Sequence, residues 1–300
     1  MTYTRYISIL ALMLTGLVSP GALRAQIYVA NQFGNDVEEF NSAGVGTIFS
    51  SSSLLDNPDG LAVAANGNVF VANSLNGTIV EITPQGNASV FASGLNHPLD
   101  LAFDAGGNLY VSNTGDNTVD KITPLGNVSV YIPASLTGPR GLAFDASGNL
   151  YVAYDGNNSI QKFTPSGSQT TFANTGLNSP GALAFDPKGN LYAANFGNSV
   201  IEEFSPSGTP SPFAVVSDPT GLSFDTNGNL FAVNGSNYTV EEITPNGSES
   251  TFASTGLTPG GIGVNPPAGF TIPEIASTGA LLASSFGALL ALRRHWRRVQ

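Results

Sequence analysis

Along most of the chain, apolar residues come in runs of four to six, separated by short breaks rich in Gly, Pro, Asn and Asp. Val69-Phe70-Val71-Ala72-Asn73 and Leu109-Tyr110-Val111-Ser112-Asn113 are typical. Such runs are too short for amphipathic helices, and their β-branched and aromatic content predicts strands. The breaks carry turn chemistry. Asp104, Asp145, Asp186 and Asp225 each precede a Gly by two or three residues, with Asn following. The carboxylate accepts backbone N–H groups and Gly supplies a positive φ, which predicts a hairpin. Thr83-Pro84, Thr123-Pro124, Thr164-Pro165, Ser205-Pro206 and Thr244-Pro245 each lead to a Gly two residues on. Proline has no N–H to give a ladder, so a strand must end there.

The pattern returns at a fixed interval, which marks a repeat array. The apolar residue after the small one in Gly60-Leu61-Ala62-Val63 recurs as Leu101, Leu142, Leu183, Leu222 and Ile262, at spacings of 40, 41, 41, 39 and 40 residues. Each unit predicts four strands, a to d. At the start of the array, Ile27-Tyr28-Val29-Ala30-Asn31 reads as strand b, Val37-Glu38-Glu39-Phe40 as c and Thr47-Ile48-Phe49 as d. At the other end, Gly261-Ile262-Gly263-Val264 is a lone strand a. The orphan completes the truncated unit, so five whole units and one composite predict a closed ring. Closure leaves no open array edge. In strand c two central positions are polar (Glu38-Glu39, Asp120-Lys121, Glu202-Glu203, Glu241-Glu242), which predicts a place near the rim where both reach solvent.

The fold class expected is all-β: a six-bladed β-propeller with a split (1+3) closing blade, plus a C-terminal transmembrane helix. Over residues 26–265 the pattern resembles the NHL, virginiamycin B lyase-like and SMP-30/gluconolactonase-like propellers, and Tyr-Val-Ala-Asn resembles YVTN surface repeats. The resemblance implies that b–c and d–a connections share one face, the usual binding face, while a–b and c–d turns lie on the other. The Asp-x-x-Gly-Asn turns then read as structural rather than as calcium loops.

The two ends add addresses. Arg5, the apolar run Ile7 to Val18, Ser19-Pro20-Gly21 and Ala25 read as a signal peptide over residues 1–25, cleaved near Ala25–Gln26. The propeller is expected over 26–266 and a linker with a sorting motif over 267–274. Residues 275–300 are expected to form a transmembrane helix and an Arg-rich cytoplasmic tail. The uncharged stretch from Ile275 to Leu292 is about 27 Å long as a helix, just enough to span a bilayer. Arg293, Arg294, Arg297 and Arg298 then hold the tail in the cytoplasm. Ile272-Pro273-Glu274, the span and the arginines resemble the PEP-CTERM sorting signal of Gram-negative bacteria, although Ile275 stands where that motif has its second proline. The resemblance implies an exosortase-type processing enzyme as a partner, acting on Pro273 and Glu274. It also implies transient inner-membrane anchoring, then an outer-surface or extracellular-matrix location.

Charge sharpens the picture. Between residues 26 and 270 only Lys121, Arg140, Lys162 and Lys188 are basic, against twenty acids, or about −16 (4 minus 20). Such a surface repels phosphate backbones, so no nucleic-acid partner is expected. With no cysteine in the chain, disulfides and thiolate metal sites are excluded.

Candidate chemistry lies where strand b ends: Asn31, Asn73, Asn113, Tyr154, Asn195 and Asn234. Side-chain amides there suit a glycan, a peptide, a surface protein or a weakly held divalent cation in the channel. The competing reading is that each Asn caps its own b–c loop. Tyr154, which breaks the pattern, is the better functional clue. His97 and Arg140 occupy nearly matching d–a positions in adjacent blades. His97 is a lone histidine with no carboxylate evident beside it, so a solvated loop residue is the simpler reading. Virginiamycin B lyase-like enzymes use a His with a nearby Glu and magnesium in a late blade, but residues 180–265 contain no His. SMP-30-like lactonases hold a channel metal with Glu, Asn and Asp, and strand b offers no carboxylate at the matching places. No catalytic residue, cofactor or metal ligand is therefore assigned. The expected role is a non-catalytic binding or adhesion module. A structural envelope or exopolysaccharide-matrix protein is the second reading, and a metal-dependent lyase or lactonase the third.

Overall fold

The computed structural model describes residues 26–265. The expected signal peptide, sorting motif (Pro273, Glu274), membrane span and arginine tail lie outside the described residues. Among those described, no helix is long and apolar enough to cross a membrane. Twenty-four strands form six four-stranded antiparallel sheets, with one 3-10 turn at Asp155–Asn157. Five blades are continuous in sequence and occupy residues 58–93, 98–132, 139–173, 180–215 and 219–254, numbered 1 to 5 below.

The sixth blade is composite. Pro259–Asn265 pairs with Gln26–Asn31, which is followed by Asp36–Phe40 and Gly46–Ser50. The register sets Ile27 opposite Val264, Tyr28 opposite Gly263 and Val29 opposite Ile262. The orphan strand thus closes the ring, as the truncated repeat predicts.

Strand b is buried along its whole length in every continuous blade. Its two faces enter two different interblade layers. Val29 and Ile27 pack toward blade 5 with Phe231, Val233 and Ile262, whereas Tyr28 and Ala30 pack toward blade 1 with Leu61 and Val71. An aromatic ladder runs through these layers. Tyr110 meets Tyr131 of its own strand d and Phe144 of the next blade edge to face, at centroid distances of 4.9 and 5.0 Å. Tyr151 and Tyr192 repeat the arrangement with Phe172 and Phe185, and with Phe213 and Phe224. Such contacts add directionality to apolar burial.

The polar pair in strand c departs from the rim reading. Its first member turns inward: Asp120, Gln161, Glu202 and Glu241 are buried, while Glu38 of the composite blade is half-buried. Its second member stays half-exposed and reaches an a–b turn, as Lys121 does to Asp104 at 3.9 Å and Lys162 to Asp145 at 3.7 Å. Strand parity therefore holds. The inward acids are accommodated by hydroxyls and amides at the strand ends: Thr118 donates to Asp120 at 2.9 Å and Thr239 to Glu241 at 2.5 Å.

The a–b turns are built as expected. Oδ1 of Asp104 accepts the N–H groups of Gly106 and Asn108 at 2.8 and 2.9 Å, and Asp145, Asp186 and Asp225 repeat the pattern.

Candidate functional site at the channel mouth

The innermost strands line a central channel of about 410 Å³. Each opens on a proline (58, 98, 139, 180, 219 or 259) and is bulged against strand b just after it. Between Pro58, opposite Asn73, and Leu61, opposite Val71, two residues face one. A bulge of this kind re-aims side chains. It brings Asp59, Asp100, Arg140 and Thr220 to the channel wall.

Asp59 and Asp100 are enclosed by the ring, each with a partly open edge on the channel. Asp100 joins two blades: Oδ1 accepts the N–H of Leu101 and Oδ2 that of Leu142 in blade 3, both at 2.8 Å. Its own N–H donates to the Ser112 hydroxyl at 2.9 Å. Burial pushes its carboxyl up to about 7 despite those two donors. Burial likewise pushes Asp59 up to about 6, opposed by the charge of Arg140 and by the Gln32 amide, which donates to Oδ2 at 2.9 Å.

Above these acids the channel widens into a mouth of about 520 Å³, walled by Gln32, Asp59, Arg140, Asp155 and Asp218 with Phe196 at its edge. These residues come from b–c and d–a connections and the starts of innermost strands. Both connection types therefore share this face. The Arg140 guanidinium forms a hydrogen-bonded ion pair with Asp155, and the Ser236 hydroxyl donates to Asp218. With Asp59 ionised the mouth carries three carboxylates against one guanidinium. Phe33, 77% exposed, and Leu75, 70% exposed, project from b–c loops of the composite blade and blade 1.

The strand-b ring lies one strand outward from this wall. Asn31, Asn73, Asn113, Tyr154, Asn195 and Asn234 are all buried. Most of their amides bind their own blades' connections. Asn73 accepts the N–H of Asp56 at 3.1 Å and donates to the Leu54 carbonyl at 2.8 Å. Asn195 accepts from Asn178 at 3.1 Å and donates to Gly176 at 2.8 Å. Asn113 accepts from Asn96 at 2.6 Å, and Asn234 from Asn237 at 3.2 Å. Tyr154 lies in the apolar layer between blades 2 and 3, where burial pushes its hydroxyl up to about 12. His97 is exposed in a left-handed conformation (φ 55°), and its carbonyl accepts the Thr114 N–H at 3.2 Å. The structure does not bring His97 to Arg140, whose partner is Asp155.

Of the sequence-predicted set, Arg140 alone lines the mouth. Gln32, Asp155, Asp218 and Phe196 are found only in the folded ring. Asp59 and Asp100 do leave a signal in the sequence. Pro58-Asp59-Gly60 and Pro98-Leu99-Asp100 carry carboxylates where Pro180-Gly181-Ala182 and Pro259-Gly260-Gly261 carry none.

No protein-family model and no curated protein matches the chain. Solved structures do resemble it. A nidogen/laminin complex provides one, with TM-score 0.72 and 18% identity over 80% of this chain and 98% of that one. A catalytically inactive variant of virginiamycin B lyase from Staphylococcus aureus with quinupristin gives TM-score 0.56 and 19% identity over 65% of this chain and 69% of that one. A streptogramin B lyase gives 0.54 and 16% over 77% and 74%. At these identities the likeness concerns the fold, and the chain shares the six-bladed propeller architecture with a protein of a binding complex and with lyases.

Proposed function

We propose that this chain is an exported propeller, tethered at or released from a bacterial surface, that acts as a non-catalytic binding module through the channel mouth. The observation that carries this reading is the mouth itself: a concave, bulge-shaped site walled by three carboxylates and one guanidinium, with aromatic side chains at and beyond its edge. Its chemistry favours a ligand rich in hydrogen-bond donors or bearing positive charge, such as a basic peptide segment of a surface protein or a hydroxyl-rich glycan. The nidogen likeness supports a binding role for the architecture. The lyase likeness supports a reactive one, but the only histidine among the described residues, His97, stands outside the mouth. Export and surface delivery rest on the two terminal sequence signals, with an exosortase-type enzyme as the processing partner.

The test is binding to peptide and glycan arrays by the chain and by Arg140→Ala and Thr220→Arg, the second of which fills the mouth. Retention of one ligand class is expected, with at least tenfold loss in Thr220→Arg. Affinity for a cationic ligand should also rise between pH 5 and 8, because Asp59, held near 6, ionises across that window. No retained ligand on either array would favour a structural matrix role. Turnover of a bound lactone or cyclic peptide would favour the lyase or lactonase reading.

A further inference from the structure

The same polar–aromatic pair recurs six times on the a–b face of the ring. In each blade the second residue of the strand-c pair stands opposite an aromatic residue of strand b. In blades 2 and 3 the polar member is a lysine. The Lys121 and Lys162 ammonium groups lie 5.4 and 5.2 Å from the centres of the Tyr110 and Tyr151 rings, within cation–π range. Each also pairs with the acid of its a–b turn, Asp104 or Asp145. In three other blades the polar member is a glutamate satisfied by an amide. Gln26 donates to Glu39, Asn68 to Glu81 at 2.6 Å and Asn229 to Glu242 at 3.0 Å.

Blade 4 has neither arrangement. It keeps the tyrosine and the turn acid of blades 2 and 3, as Tyr192 and Asp186, but sets Glu203 where they have lysine. The Asn190 amide donates to Asp186 at 3.0 Å. No cation among the described residues pairs with Asp186 or Glu203. Burial, then the charges of Glu203 and Asp186, pushes the Tyr192 hydroxyl well above its ordinary value, whereas at Tyr151 the Lys162 ammonium opposes the rise. The place also has room. A cavity of about 400 Å³ lies between blades 4 and 5, walled in part by Tyr192, Phe213, Phe224, Asp186, Glu203 and Lys188. Lys188 is exposed on the a–b turn.

Aromatic walls beside two carboxylates without a paired cation form a receptor for an organic cation. We infer that this cavity binds an alkylammonium group from outside the chain, a lysine side chain or a free amine, seated on the Tyr192 ring and paired with Asp186 and Glu203. The pose is the one that Lys121 and Lys162 adopt within their own blades. The site lies at the opposite end of the strands from the channel mouth and does not rest on the function proposed for the mouth.

The test titrates n-butylammonium chloride into the full chain at constant ionic strength and follows the ligand's methylene protons by NMR, with n-butanol as the uncharged control. Saturable binding with Kd of about 1–10 mM is expected, the scale of a few such contacts to a small ligand. The methylene next to the ammonium should shift upfield, because the ring face shields it. Glu203→Gln should weaken binding about tenfold. Glu203→Lys supplies the ammonium in place, so it should abolish binding and raise Tm by about 2–4 °C. Lys188→Ala should bind at least as tightly as the wild type. Nα-acetyl-lysine N-methylamide separates the two sources. Tighter binding than butylammonium assigns the site to a protein's lysine, and equal or weaker binding to a free amine. The inference is overturned if butanol binds as butylammonium does, or if no saturation is reached by about 100 mM, well above the expected range. It is equally overturned if both Glu203 variants bind as the wild type does, or if Glu203→Lys is the less stable chain. Binding that appears only in Lys188→Ala would also overturn it, by making Lys188 the cation of the site.

Discussion

Deletion of residues 259–300 is expected to abolish the cooperative unfolding transition, whereas deletion of residues 266–300 preserves it. The two truncations differ only by the innermost strand of the composite blade, Pro259–Asn265. Its loss takes buried Ile262 from the layer it shares with Ile27, Val29, Phe231 and Val233. It also removes the ladder partner of Gln26–Asn31 and leaves that strand as an open edge. One lost Ile costs about 2–5 kcal/mol by itself. Added to unpaired backbone groups, the total reaches the whole stability of an ordinary domain, about 5–15 kcal/mol. Circular dichroism and urea unfolding of both truncations check this. A cooperative transition of unchanged midpoint in the shorter chain would refute it.

Gly141→Val is expected to destabilise the ring by about 3 kcal/mol or more, at the upper end of what overpacking costs. A Cβ at Gly141 would stand 2.3 Å from the Gly181 carbonyl oxygen and 2.8 Å from the Leu183 nitrogen in the neighbouring innermost strand. Both are backbone atoms, so no side-chain rotamer relieves the clash. Gly60 meets the Leu99 carbonyl in the same way, at 2.2 Å. These contacts occur because six innermost strands converge on one axis. Asp100 takes the corresponding place in its own strand and uses it to hold the Leu142 N–H. Urea unfolding of Gly141→Val and of Leu125→Val, an 87% exposed control in a c–d turn, separates the effect from general surface tolerance.

The ring and its split blade were legible because the array begins at strand b and ends at strand a, a phase that only closure explains. Turn residues were equally legible, since Asp104 and Gly107 act on their own few neighbours. The strand-c pair reads as a rim feature even though parity sends Glu202 and Glu203 to opposite faces, because nothing local in the sequence shows how an inward acid is accommodated. The mouth was only partly legible. The repeated Asn at the end of strand b stands out in the sequence, yet its repetition marks a folding requirement that most of these buried amides meet in nearby connections. The wall instead depends on bulges after Pro58, Pro98 and Pro139, and no single strand's pattern announces a bulge.

Ring closure by the two ends of the propeller underlies the channel and its mouth. The cysteine-free chain allows it to be tested with the pair Gln26→Cys and Asn265→Cys, which stand opposite one another in the closing ladder. Paired antiparallel residues lie about 4.5–5.5 Å apart between Cα atoms, within disulfide reach. Mild oxidation should give a monomeric, intramolecular disulfide in nearly all molecules, with a raised Tm. Thiols that stay free in the folded chain, or that cross-link only between chains, would contradict the closed ring.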